Sequence, residues 1–148
     1  MGPKDATHMQ YETAQTLGEH LAHLGLTILC GGRSGVMEAA CKGAFMAGGT
    51  SIGMLPGDEW TEANPYVTIP IVTNMGPTRN SLIAKTAFAL VAIGGGYGTL
   101  TEIAYGLHYD KPVFATLDAP AVAGCTYIDD LDLIVTQVIG RLLGTTKL

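Results

Sequence analysis

Five short apolar runs alternate with stretches of helical periodicity in this 148-residue chain, and that alternation restricts its fold more than any other feature. The runs are Leu26–Cys30, Ser51–Leu55, Val67–Val72, Ala89–Ile93 and Pro112–Ala115. Each is short and rich in Val, Ile, Leu or Ala, as strands covered on both faces are. Strands and helices taken in turn predict an α/β fold, a doubly wound parallel sheet with helices on both faces. Pro70 demotes the third run to an edge or a bulge.

The helical stretches carry their own punctuation. Thr7-His8-Met9-Gln10 has capping-box form, and Tyr11, Ala14, Leu17, Leu21 and Leu24 follow at helical spacing as far as Gly25. Ser34 is the expected N-cap of a second helix that runs through Val36, Met37, Ala40, Cys41 and Ala44 to Gly48-Gly49. Met75-Gly76-Pro77 opens a third, which contains Arg79, Asn80, Leu82 and Ile83. Thr99 to Tyr109 is a fourth, and a last helix from about Asp130 to Leu143 is capped by the Asp129/Asp130 pair. Residues 56–64, with Trp60, read as a surface loop.

One place in this plan is unfilled. Doubly wound folds usually begin with a strand, whereas only five residues precede Ala6. The N-terminal strand is absent, supplied otherwise, or lost at an upstream start; the residues leave these three open. The length predicts a single domain, 1–148, which can hold a core without disulfide or metal.

The net charge of −5, without any cluster of Lys and Arg, argues against nucleic acid and against an anionic membrane as partners. Cys30, Cys41 and Cys125 are odd in number, widely spaced and set among apolar residues. They read as buried free thiols of a reducing compartment, not as disulfides or zinc ligands. With no long apolar run and no signal peptide, a cytoplasmic location is expected.

The functional signal lies in glycine. There are 20 glycines in 148 residues, nearly double the usual ~7%, and they cluster at strand ends. Gly31-Gly32-Arg33-Ser34-Gly35 follows one apolar run, and Gly94-Gly95-Gly96-Tyr97-Gly98-Thr99 follows another. In parallel sheets ligands bind at the carboxyl ends of the strands. Successive glycines at a helix N-terminus bare the backbone N–H groups that hold a phosphate or similar oxyanion. The alternative is that these glycines only let strand and helix pack closely. The second motif is neither G-x-G-x-x-G nor a P-loop, which disfavours NAD and P-loop nucleotide chemistry.

Arg79 stands near the start of a helix that leaves the same sheet edge, so it can clamp an anion or polarise a leaving base; the plainer reading is a solvated arginine. Thr99-Leu100-Thr101-Glu102 has capping-box form, and on the residues alone capping is the commoner role for Glu102. His20, His23 and Glu19 share a helix face but suggest no third ligand, so no metal site is expected.

These residues in order resemble the LOG (Lonely Guy) family and its sister group, the molybdenum-cofactor carrier proteins, a Rossmann-like superfamily often mislabelled as lysine decarboxylases. Its P-G-G-x-G-T-x-x-E signature aligns with Gly94 to Glu102, with Gly94 in place of the proline. The family's helix arginine aligns with Arg79, and Asn80 stands where a lysine often follows. "CGGRSGVMEAACKGA", "IGMLPG" and "NMGPTRN" are similar to further family segments.

The resemblance implies two functions. LOG-type enzymes hydrolyse the N-glycosidic bond of nucleoside 5′-monophosphates without a cofactor. In that case Arg79 and Glu102 are catalytic, and the Gly94–Thr99 turn, with Gly31, Gly32, Ser34, Gly35 and Asn80, binds the ligand. The alternative is a carrier or sensor of a phosphorylated pterin of the molybdenum-cofactor type, or of a nucleotide. Gly94 and Asn80 both look more like the carrier branch. Family analogy also implies a homodimer. The superfamily includes DNA-processing proteins that bind single strands, against which the acidic charge argues.

Overall fold

The computed structural model describes residues 1–145. In chain order its elements are α1 (His8–His23), β1 (Ile28–Cys30), α2 (Val36–Met46), β2 (Ser51–Leu55), β3 (Ile69–Val72), α3 (Asn80–Thr86), β4 (Leu90–Ile93), α4 (Tyr97–His108), β5 (Val113–Thr116), β6 (Thr126–Tyr127) and α5 (Leu131–Leu142). All strand pairs are parallel, in two three-stranded sheets ordered β1-β2-β3 and β4-β5-β6. This is the expected α/β, Rossmann-like class, with the sheet divided between β1 and β4. Pro70 lies in β3, an outer strand, where its missing N–H costs no ladder bond.

Strand alternation explains the cover on both faces of the second sheet. Leu90 and Ala92 of β4, with Val113 and Ala115 of β5, pack with Ala84 of α3 and Ile103 of α4. Ile93 and Phe114 point the other way and join Ala14, Leu17 and Leu21 of α1, Val36 and Ala39 of α2, and Ile134 and Val138 of α5. Successive residues serve opposite faces because the side-chain period of a strand is two.

Several expected element ends move. Gly35, at φ 69°, is the N-cap of α2, while Ser34 instead donates its hydroxyl to the Lys4 carbonyl at 3.2 Å. The Arg79 segment begins as a 3-10 turn, Gly76–Arg79, and becomes α-helical only at Asn80. Helix α4 starts at Tyr97 with Gly96 as N-cap, two residues ahead of the expected Thr99. The capping box of α1 forms as read, with Thr7 accepting from the Gln10 N–H and Gln10 from the Thr7 N–H. Asp130 caps α5 by accepting from the Leu133 N–H.

Helices α1 and α2 meet across glycines. A Cβ on Gly43 would overlap the Gln15 carbonyl oxygen, and one on Gly18 would overlap that of Ala40. Backbone, unlike a flexible side chain, has little room to yield. Gly43→Ala is therefore expected to destabilise the fold by about 2–3 kcal/mol, despite alanine's better helix propensity. Urea unfolding of the two proteins checks this; an unchanged midpoint would place the helices further apart than described.

Candidate functional site

The two glycine turns leave β1 and β4 at their carboxyl ends. The second borders a crevice of about 410 Å³ lined by Arg79, Asn80, Gly96, Gly98, Thr99 and Glu102. The opposite wall is the N-terminal segment Gly2–Asp5, with Met37 of α2. That segment is held by the bond from Ser34 to Lys4 and by the Val36 N–H, which donates to the Pro3 carbonyl at 3.0 Å. Six of the thirteen expected site residues thus share one cavity.

The other seven do different work. A Cβ on Gly35 would overlap the Pro3 and Lys4 carbonyls, so Gly35, like Ser34, seats the N-terminal segment. Gly32, at φ 74°, packs against Gly53 of β2. Gly31 offers its carbonyl to Arg79. Gly94 and Gly95 shape the turn from behind, at φ 59° and 123°. A Cβ on Gly95 would overlap the Thr99 side chain. Tyr97 projects outward, 90% exposed.

Gly94 decides the path of this turn. Its φ of 59° is one that proline, locked near −65°, cannot take. Its N–H donates to the Thr116 carbonyl at 3.0 Å, a bond proline cannot make. A chain with proline at this point must enter the turn differently. The first turn of α4 is open as well. The N–H groups of Tyr97, Gly98 and Thr99 precede the first intrahelical bonds, and a Cβ on Gly96 or Gly98 would meet no protein atom within 4 Å.

Arg79 is buried and bound to protein. Its Nε donates to the Met54 carbonyl at 2.7 Å, Nη2 to the Gly31 carbonyl at 3.4 Å, and Nη1 to Asn80 Oδ1. It therefore ties β2, the first glycine turn and α3 together, which corrects the reading of a solvated arginine. Burial lowers its pKa from the ordinary value, and the charge of Glu102 opposes that shift. Asn80 continues the chain of bonds, donating through Nδ2 to Thr101 Oγ1 at 3.0 Å and to the Gly98 carbonyl at 3.3 Å.

Glu102 caps nothing. With the N-cap at Gly96, it lies in the second turn of α4 and is 7% exposed on the crevice wall. The expected capping box fails because the helix begins before Thr99, which is itself buried. Burial raises the Glu102 pKa, against the opposing charges of the Met1 amino group and Arg79. Below the ordinary value of 4.5 this group costs nothing. As the pH rises above it, the unfolded chain ionises more readily than the folded one and stability is lost. Glu102→Gln is accordingly expected to gain stability over the parent as the pH rises from 4 to 7. Urea midpoints at the two pH values measure this, and a constant difference would contradict it.

Cys30 and Cys41 are buried free thiols with sulfurs 3.5 Å apart, while Cys125 is half-buried. Among the described residues no group of three or more His, Cys, Asp or Glu is placed to hold a metal ion, and no helix is long and apolar enough to cross a membrane.

Residues 1–139 match the model of the SLOG cluster 4 family. The chain belongs to that family. Within and around it, this SLOG cluster 4 chain is similar to an uncharacterized protein of Archaeoglobus fulgidus, at 39% identity over 82% of this chain and 80% of the other. It is similar in structure to the molybdenum cofactor carrier protein of Chlamydomonas reinhardtii, at 37% identity and a TM-score of 0.83 over 95% of this chain and 96% of that one. The molybdenum cofactor binding protein of Rippkaea orientalis is also similar, at 34% identity and a TM-score of 0.77, over 98% and 82%. The carrier-like branch expected from Gly94 and Asn80 is the one these relatives occupy.

Lys4, Asp5 and Met37 line the crevice although none of them was among the expected site residues. The return of the N-terminal segment across the strand ends brings Lys4 and Asp5 there, and Met37 comes from the first turn of α2.

Proposed function

We propose that this SLOG cluster 4 protein binds a phosphorylated pterin of the molybdenum-cofactor type as cargo and releases it unaltered. The phosphate sits on the first turn of α4, over Gly96, Gly98 and Thr99, where open N–H groups and the helix dipole favour an anion. The pterin extends along the crevice between Asn80 and the Gly2–Asp5 wall. The names of the relatives at 34–37% identity support this cargo.

The observation that carries the reading is the condition of the two groups a hydrolase would need. Arg79 gives three of its five N–H groups to protein acceptors, which fixes the guanidinium in the crevice wall. Glu102 is buried and biased toward its neutral form. Burial works against the charged carboxylate that stabilising a cationic sugar calls for. The turn built on Gly94 adds to this, since the proline of the hydrolase signature cannot take its backbone geometry.

The test is incubation of the purified protein with a panel of nucleoside 5′-monophosphates, scored for free base by chromatography. No base is expected from any of them. Release of base from one nucleotide, abolished by Glu102→Gln, would overturn the carrier reading and restore the hydrolase.

A further inference from the structure

Cys30 and Cys41 line no part of the crevice, yet the fold sets them against the residues that do. Cys30 ends β1 and Cys41 lies on α2, eleven residues on in sequence, with the two sulfurs in contact at 3.5 Å. Cys30 is 4% exposed and Cys41 is fully buried. Cys125 belongs to the other sheet, where its thiol donates to the Val113 carbonyl of β5 at 3.6 Å.

The two sulfurs have unequal surroundings. Hydrogen bonds from Cys30, Ser51 and Asn64 lower the pKa of Cys41 from the ordinary thiol value, against its burial. The bond to Cys41 and burial together raise that of Cys30, although its sulfur accepts from the Gly32 N–H at 3.3 Å. Cys41 is therefore the better nucleophile, and Cys30 is the thiol placed to resolve what forms on it.

We propose that Cys30 and Cys41 are a reversible modification site for hydrogen peroxide, closing to a disulfide that ties the first glycine turn to α2. The Cys41 thiolate attacks one peroxide oxygen. The S–O bond forms as the O–O bond breaks, and the departing hydroxide takes up the proton that Cys41 gave, as water. The Cys30 sulfur then attacks the sulfenic acid: the S–S bond forms, the S–O bond breaks, and the hydroxyl leaves with the Cys30 proton as a second water. Burial restricts the oxidant to a molecule near the size of water. Contact between the sulfurs makes the second step intramolecular, ahead of further oxidation.

On closure the sulfurs come from 3.5 Å to the bonded distance of about 2 Å. That draws the end of β1 and α2 together. Gly31, next in the chain, has no slack, because a Cβ there would overlap Arg79 Nη2 and Met37 Sδ. Both of those residues line the crevice, and Met37 shares a face of α2 with Cys41 four residues on. None of this depends on what the crevice binds.

The test treats the folded protein with hydrogen peroxide, removes the oxidant with catalase, and then denatures and alkylates the chain. The intact mass is expected to fall by about 2 Da before alkylation. Cys125 alone should be alkylated, a digest should hold a peptide joining Cys30 to Cys41, and dithiothreitol should restore all three thiols. The oxidised protein should melt at least about 5 °C higher, the scale for a short closed loop in a chain of this size. Cys125→Ser is expected to react as the parent does, whereas Cys30→Ala should gain oxygen on Cys41 without any crosslink. Two free thiols at Cys30 and Cys41 after peroxide overturn the proposal, as does oxygen added to either in the parent without the linked peptide. A crosslink to Cys125 overturns it too, because it requires an opened fold. A crosslinked protein that melts no higher than the reduced one would overturn the tie between turn and helix. The parent's linked peptide decides the matter even where Cys30→Ala does not fold.

Discussion

Arg79→Ala is expected to lower the unfolding free energy of the ligand-free protein by about 3–5 kcal/mol, a large fraction of a typical domain's stability. The guanidinium donates to Met54, Gly31 and Asn80 from a position only 8% exposed. Its loss leaves three acceptors short of a donor where little water enters, and unsatisfied buried polar groups are costly. Arg79→Lys should recover only part of the loss, because an ammonium cannot imitate the planar fork that reaches three directions. Denaturant melts without any ligand measure both variants. A loss below about 1 kcal/mol would mean that Arg79 is held for the ligand and not for the fold.

The second large effect pairs opposite signs. Gly98→Ala is expected to stabilise the protein by up to about 1 kcal/mol, since glycine inside a helix is unfavourable and a Cβ there meets no protein atom within 4 Å. The same methyl stands in the crevice where the phosphate is proposed to rest. Binding should weaken by roughly a hundredfold, the scale of a misplacement of about 1 Å. Thermal melts and equilibrium titration of one preparation give both numbers. A variant that is stabler and binds equally well would move the phosphate off α4.

These expectations also show how far the sequence could be read. The apolar runs placed β1, β2, β4 and β5 to within a residue or two, because strands buried on both faces must be apolar throughout. Strand β6 was missed: Thr126–Tyr127 is two exposed residues without a pattern. The capping box of α1 could be read from Thr7 and Gln10, yet the same form at Thr99 and Glu102 misled. There the glycine turn lets the helix begin at Tyr97, and tertiary geometry overrides the local motif.

Arg79 and Glu102 could be found as residues, but their conditions could not. The three acceptors of Arg79 come from β2, the first glycine turn and the neighbouring Asn80, and only the fold brings the first two to it. Likewise Gly35 and Ser34 belong to a glycine loop that looks ligand-facing in sequence. In the fold, Pro3 and Lys4 occupy the space they face.

The most direct test of the proposed site is equilibrium binding of molybdenum cofactor, released from a donor protein, against the same pterin after enzymatic removal of its phosphate. If the turn over Gly96, Gly98 and Thr99 holds the phosphate, the intact form should bind at least about a hundredfold more tightly and be recovered unchanged. Equal affinity for the two forms would remove the phosphate from the site and, with it, the reading of this protein as a carrier of a phosphorylated pterin.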